Sequence, residues 1–113
     1  MDIENIKAQM RKGILEYCIL SVISEDEIYA SDILEKLKEA KLIVVEGTLY
    51  PLLTRLKNDV LLEYRWIEST QGPPRKYFKL TEAGKAFHIE LSREWISLQN
   101  SVEASIKPII STI

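Results

Sequence analysis

The chain has 113 residues, 46% of them hydrophobic and 28% charged, and its 15 Lys and Arg against 17 Asp and Glu leave a net charge of −2. One domain's length with this composition describes a globular fold that buries roughly two thirds of its unfolded surface, and it excludes intrinsic disorder as a description of the whole. The charge balance excludes an evenly basic nucleic-acid coat but not a local basic patch, because binding follows how charge is distributed over a surface.

Cys18, the single cysteine, has no partner for an intramolecular disulfide, and His88 is the sole histidine, so no zinc cluster can be assembled. No cofactor and no metal are expected. No apolar run reaches the roughly 18 residues that span a bilayer, and the first ten residues carry acids where a signal peptide would be apolar. A soluble, cytoplasmic protein without a membrane partner is the expectation.

From Asn5 to about Ser24, Ile6, Met10, Ile14, Tyr17, Cys18, Ser21 and Val22 recur at the three- and four-residue steps of one helix. Ser31 and Asp32 offer capping chemistry to a second helix ending near Ala40 or Lys41, with Ile33, Leu34 and Leu37 as its stripe. Leu42-Ile43-Val44-Val45 is a β-branched run suited to one small strand. In a third helix Leu49, Leu52, Leu53, Leu56 and Val60 form the apolar face, opposite Thr48, Thr54, Arg55, Lys57 and Asn58. Pro51 fits only a first turn, which starts this helix within a residue or two of Gly47 or Thr48.

Residues 62–69 and 75–80 alternate as two strands of a hairpin, joined by Thr70-Gln71-Gly72-Pro73-Pro74 as a stiff loop. Tyr64 and Trp66 are expected to pack in the core or the hairpin. Thr81 can cap a last helix, with Glu82 in its first turn. Phe87, Leu91, Trp95, Leu98, Val102, Ile106 and Ile109 then follow a narrow seam of the kind used in helix association, and Pro108 is expected to stop or kink that helix near Lys107.

The order helix, helix, short strand, helix, hairpin, long helix is that of a winged helix-turn-helix, a mainly α fold whose third helix enters the major groove. Three sets of residues sharpen it. They are Lys12-Gly13-x-Leu15 in the first helix, Gly47-Thr48-Leu49-Tyr50-Pro51-x-Leu53-x-Arg55-Leu56 in the third, and Gly72-Pro73-Pro74-Arg75-Lys76-Tyr77-Phe78-x-Leu80-Thr81-x-x-Gly84 in the wing. Together they resemble the PadR family of bacterial and archaeal transcriptional regulators, over essentially the whole chain. The short C-terminal part is similar to the subfamily with a single long dimerisation helix. Residues 1–80 would then be the winged-helix part and residues 81–113 the dimerisation helix, in one compact unit.

The start of the third helix offers free N–H groups and a positive dipole end to a phosphate, beside the small residues Gly47 and Thr48. The resemblance assigns DNA contact to Lys12, Gly47, Thr48, Tyr50, Pro51, Thr54, Arg55, Lys57, Arg75 and Lys76. Arg55 could fork onto guanine or bind phosphate. The resemblance also implies a homodimer through Phe87, Leu91, Trp95, Leu98, Val102 and Ile106. In drug-responsive relatives a tryptophan of the last helix sandwiches planar hydrophobic ligands with its symmetry mate. Trp95 falls at the matching position, where it either binds such an effector or packs the dimer, with Met10 and Tyr17 as further walls. Gln99 stands where relatives carry an acid, and Val60 where a glycine commonly closes the third helix.

Double-stranded DNA is accordingly the expected partner, bound as a pseudo-palindromic operator by a repressor that an effector releases. A rival reading is a winged-helix dimer that acts as a protein-interaction adapter. An enzyme lacks any nucleophile-base pair, metal cluster or phosphate loop to work with. Residues 47–80 carry six Lys and Arg against three acids, a net +3, whereas residues 17–46 carry three against seven, a net −4. The basic charge is thus gathered on the third helix and the wing.

Overall fold

Two helices stand where the apolar period suggests one. The computed structural model describes residues 1–24 and 26–110, the last three by backbone alone. Helix α1 (Ile3–Lys12) is capped by Asp2, whose carboxylate accepts the Glu4 N–H at 2.9 Å, and α2 (Leu15–Ile23) starts beyond Gly13. Glycine is the weakest helix former after proline, and the two halves differ in what they bury. α2 buries Ile19, Leu20 and Ile23, while α1 buries nothing.

The small strand is also relocated. β1 (Ile28–Tyr29) pairs with the hairpin, Ile28 opposite Phe78 and Tyr29 opposite Tyr77, while residues 42–45 run as irregular chain. β-branching favours a strand only where an edge is free to pair, and β1 occupies that edge. Helix α3 (Ala30–Glu39) follows at once with Tyr29 at its N-cap, so Ser31 and Asp32 lie inside the first turn and do not cap it.

Helix α4 (Glu46–Asn58) begins at Val45, whose carbonyl accepts from both Thr48 and Leu49 at 3.0 Å. That places Pro51 in the second turn, contrary to the first-turn expectation, and leaves the helix one hydrogen bond short at Gly47. Leu49, Leu53 and Leu56 are buried, whereas Val60 lies beyond the helix and is exposed. α3 and α4 end alike. The residue after the C-cap is left-handed, Lys41 at φ 65° and Val60 at φ 63°. Leu42 N–H then reaches Leu37 O at 2.8 Å, and Leu61 N–H reaches Leu56 O at 3.0 Å. These are Schellman closures, each tying a leucine back onto the core, and each uses a side-chain-bearing residue where glycine would be unstrained.

Strands β2 (Leu62–Ser69) and β3 (Gly72–Leu80) form the wing, in a sheet of order β1-β3-β2. Only Thr70 and Gln71 separate them, so the expected five-residue loop is a two-residue turn. Pro73 and Pro74 belong to β3. Ile67 pairs with Arg75 and Ser69 with Gly72, which leaves both prolines opposite Glu68 in a bulge that demands no N–H from them.

Helix α5 (Glu82–Ile110) is about 43 Å long at 1.5 Å per residue and gives the molecule its 58 × 30 × 21 Å outline. It continues through Pro108, so the stop expected near Lys107 does not occur; the side chains of Pro108 and Ile109 lie outside the described residues. As expected, Thr81 caps it, its Oγ1 accepting from Gly84 N–H at 2.9 Å. The same hydroxyl donates to Val60 O at 2.6 Å, and Thr81 N–H donates to Leu61 O at 3.1 Å. A Cβ on Gly84 would stand 2.0 Å from Leu61 O, so only glycine allows this approach.

The core gathers Ile19, Leu20, Ile33, Leu37, Leu49, Leu53, Leu56, Leu62, Phe78 and Leu80, and no polar side chain among the described residues is buried with it. Relieving the left-handed strain at Val60 by Val60→Gly should raise stability by about 1 kcal/mol, because a β-branched residue pays more there than glycine loses in chain entropy. The midpoint of denaturant unfolding, at unchanged slope, checks this.

Candidate nucleic-acid interface

Burial of Leu49, Leu53 and Leu56 decides which side of α4 faces out. At about 100° per residue, Gly47, Pro51, Thr54 and Asn58 form the outermost ridge. Thr48 and Arg55 lie on one flank, Tyr50 and Lys57 on the other. All eight are exposed. Burial, then Glu46 and then Tyr29 hold the Tyr50 phenol above its ordinary pKa, so at neutral pH it stays a hydroxyl able to donate.

The two flanking cations are held differently. Arg55 forms an ion pair with Glu16 of α2. Lys57 instead places Nζ 5.3 Å from the Tyr64 ring centroid on the wing. Lys12, in the last turn of α1, meets Thr48 across a groove of about 410 Å³ walled by Leu15, Cys18, Ile43 and Val45. Burial pushes the Cys18 thiol pKa up there.

On the wing, strand alternation sends Arg75 and Lys76 to opposite faces, so they do not act as one patch. Arg75 lies 5.0 Å from the Tyr29 ring, on the face shared with Tyr77, and Lys76 lies 4.1 Å from the Tyr64 ring, on the face that meets α4. The remaining strand cations are paired, Arg65 with Glu27 at 3.0 Å and Lys79 with Glu63 at 3.4 Å. Trp66 is exposed at the outer end of the α4-facing side, away from the core, and meets the neighbouring strand through Lys76, whose Nζ lies 5.6 Å from its ring.

The groove expected for an effector is only partly as read from the sequence. Met10, Trp95 and Gln99 do line one space of about 430 Å³ between α1 and α5, together with Ile14, Val102 and Glu103. Glu103 was not singled out by sequence reasoning, although its place one turn beyond Gln99 was a signal for it. Tyr17 is not a wall of this groove. Its ring stacks on His88 with centroids 5.6 Å apart, and its hydroxyl donates to Ser92 at 3.0 Å. His88, given no role from sequence, thus joins α2 to α5. Ser21 Oγ donates to Tyr17 O at 2.8 Å, so in its 3.0 Å contact with Ser21 the His88 Nε2–H is the donor.

The expected dimer seam divides as well. Phe87, Leu98, Val102 and Ile106 are exposed, Trp95 is half-buried, and Leu91 packs on this chain's own core. Among the described residues no helix is long and apolar enough to cross a membrane.

Against known proteins, the model of the transcriptional regulator PadR-like family matches residues 19–90. A PadR-like transcription factor of known structure from Bacteroides fragilis is 64% identical, with 88% of this chain and 97% of that chain covered and a TM-score of 0.75. A PadR-like transcriptional regulator from Bacillus cereus is 36% identical, covering 87% of this chain and 96% of that one, with a TM-score of 0.78. The PadR of Bacillus subtilis, solved in complex with operator DNA, shares the fold at 23% identity and a TM-score of 0.64, over 69% of this chain and 46% of that one.

Proposed function

The chain belongs to the PadR-like family of transcriptional regulators, and on that footing we propose that it acts as a cytoplasmic homodimer on a pseudo-palindromic operator, repressing until a small molecule releases it. The observation that carries this is the face of α4. Its apolar side is locked into the core by three buried leucines, while Gly47, Thr48, Tyr50, Pro51, Thr54, Arg55 and Lys57 are all exposed, with the wing alongside. Such a helix can lie in a major groove with its side chains on base edges and its N-terminal N–H groups toward phosphate. The operator-bound Bacillus subtilis protein of the same fold supports this use of it.

Lys12 would join from α1, Lys76 from the α4 side of the wing and Arg75 from its other face. Contact with a second copy would run along Phe87, Leu98, Val102 and Ile106, with Leu91 holding α5 to its own body. Two-fold symmetry then presents two copies of α4 to the DNA. The groove between α1 and α5 suits a planar hydrophobic effector on Trp95, with Met10 as a wall and Arg11, Gln99 and Glu103 as its polar lining. Release follows if that effector binds the DNA-incompetent arrangement of the two bodies better than the competent one.

A labelled fragment of the protein's own promoter should shift on addition of the protein, with affinity falling steeply as salt rises, because cation contacts release counterions from the phosphates. Absence of a shift on any genomic fragment at low salt would favour the adapter reading. On the bound fragment, Arg55→Ala should cost about 1 to 3 kcal/mol of discrimination against mismatched sites if Arg55 reads a base, and should weaken all sequences alike if it holds phosphate. Glu16→Gln removes the acid that occupies Arg55 in the free protein, and affinity should rise severalfold, in keeping with roughly 1 kcal/mol for an exposed pair. Fluorescence anisotropy across a salt series measures both.

A further inference from the structure

Along β2, Leu62, Tyr64 and Trp66 share the face that meets α4. Burial falls away along it: Leu62 is 2% exposed, Tyr64 is half-buried and Trp66 is 62% exposed. The strand's apolar alternation outruns the core, and its largest side chain stands open to solvent. Two ammonium groups from different elements converge on Tyr64, the residue before it on this face. Lys57 of α4 lies 5.3 Å and Lys76 of β3 4.1 Å from the same Tyr64 ring, and Lys76 is also 5.6 Å from the Trp66 ring. Other cations of this region, Arg55, Arg65 and Lys79, pair with Glu16, Glu27 and Glu63. Among the described residues neither Lys57 nor Lys76 forms an ion pair; both are held by aromatic faces alone. A cation fixed on a ring keeps its charge available to an incoming anion.

A surface that offers two ammonium groups free of ion pairs and an exposed indole fits a polyanion with apolar surface between its charges. The sugar–phosphate strand of duplex DNA has this chemistry, since its bases are stacked inside while its deoxyribose faces stay open. With α4 in a major groove and the wing on the flanking backbone, the strand between them would pass over this surface. We propose that Trp66 contacts DNA there, its ring against a deoxyribose and its indole N–H toward a phosphate that Lys57 and Lys76 neutralise. This deepens the operator-binding reading and rests on it. The contact is with backbone, so it adds affinity without sequence preference.

The test compares the parent with Trp66→Ala, Trp66→Phe and Lys76→Ala on a genomic fragment the parent binds and on an unrelated duplex. Trp66→Ala should weaken both complexes about tenfold, the value of some 60 Å² of apolar surface withdrawn from water. Its salt slope should stay that of the parent, whereas Lys76→Ala should lower the slope by about one. Trp66→Phe, which keeps a flat ring, should recover most of the affinity. Addition of the fragment should quench the emission of the parent but not that of Trp66→Phe, whose remaining tryptophan is Trp95. Matching thermal unfolding of Trp66→Ala and the parent shows that the fold is intact. If the parent binds and Trp66→Ala binds equally well, the role of Trp66 is overturned while the regulator reading stands. If the parent binds no genomic fragment, that reading falls and takes this contact with it.

Discussion

Where the first turn of α5 crosses the base of the wing, the Gly84 backbone lies against the Leu61 carbonyl, and the Thr81 hydroxyl bridges Val60 O to Gly84 N–H. Four segments meet at that point: the end of α4, the start of β2, the end of β3 and the start of α5. No side chain fits between them, so the angle at which the long helix leaves the body is set by backbone contact. That angle matters because α5 carries the exposed apolar residues available to a second copy, while α4 carries the exposed polar face. Any separation between two copies of α4 is therefore inherited from this junction and from the Tyr17, Ser21, His88 and Ser92 contacts that brace α2 against α5.

The electrostatics follow from the same packing. A core of Leu, Ile and Phe with no buried polar side chain among the described residues leaves every charge on the surface, where its influence depends on its neighbours. Glu16, Glu27 and Glu63 each occupy a cation near α4 or the wing, and Lys57 and Lys76 are seated on aromatic rings instead. Of the net +3 carried by residues 47–80, much of the unpaired part therefore lies around Tyr64, where α4 and the wing meet. Glu46 opens α4 itself, but Asp26, Glu27, Asp32, Glu35 and Glu39 of the acidic segment 17–46 precede that helix, which is how a chain of net charge −2 retains a basic face.

How far the sequence anticipates this depends on whether the deciding contact is local. α4 and its exposed face were legible, because the leucine spacing states which side is buried, and the Thr81 cap was legible from its place before Glu82. The helix break at Gly13 was not, since the apolar period passes through it and only the differing burial of α1 and α2 separates the halves. The run Leu42 to Val45 has strand propensity but no edge to pair with, a fact held elsewhere in the chain, in the register of Phe78 with Ile28. The exposure of Trp66 was equally hidden: alternation assigns it to the core face, and only the reach of the hairpin past the core leaves it 62% exposed. The ion pair of Arg55 with Glu16 joins elements far apart in sequence, so no local pattern announces it.

The central claim is that a fixed junction presents two copies of α4 to one duplex, and hydroxyl-radical footprinting of a bound genomic fragment tests it most directly. The expected result is two protected tracts on one face of the DNA, with centres about one helical turn of 10 to 10.5 base pairs apart or a small multiple of it. A single protected tract at saturation would contradict the account.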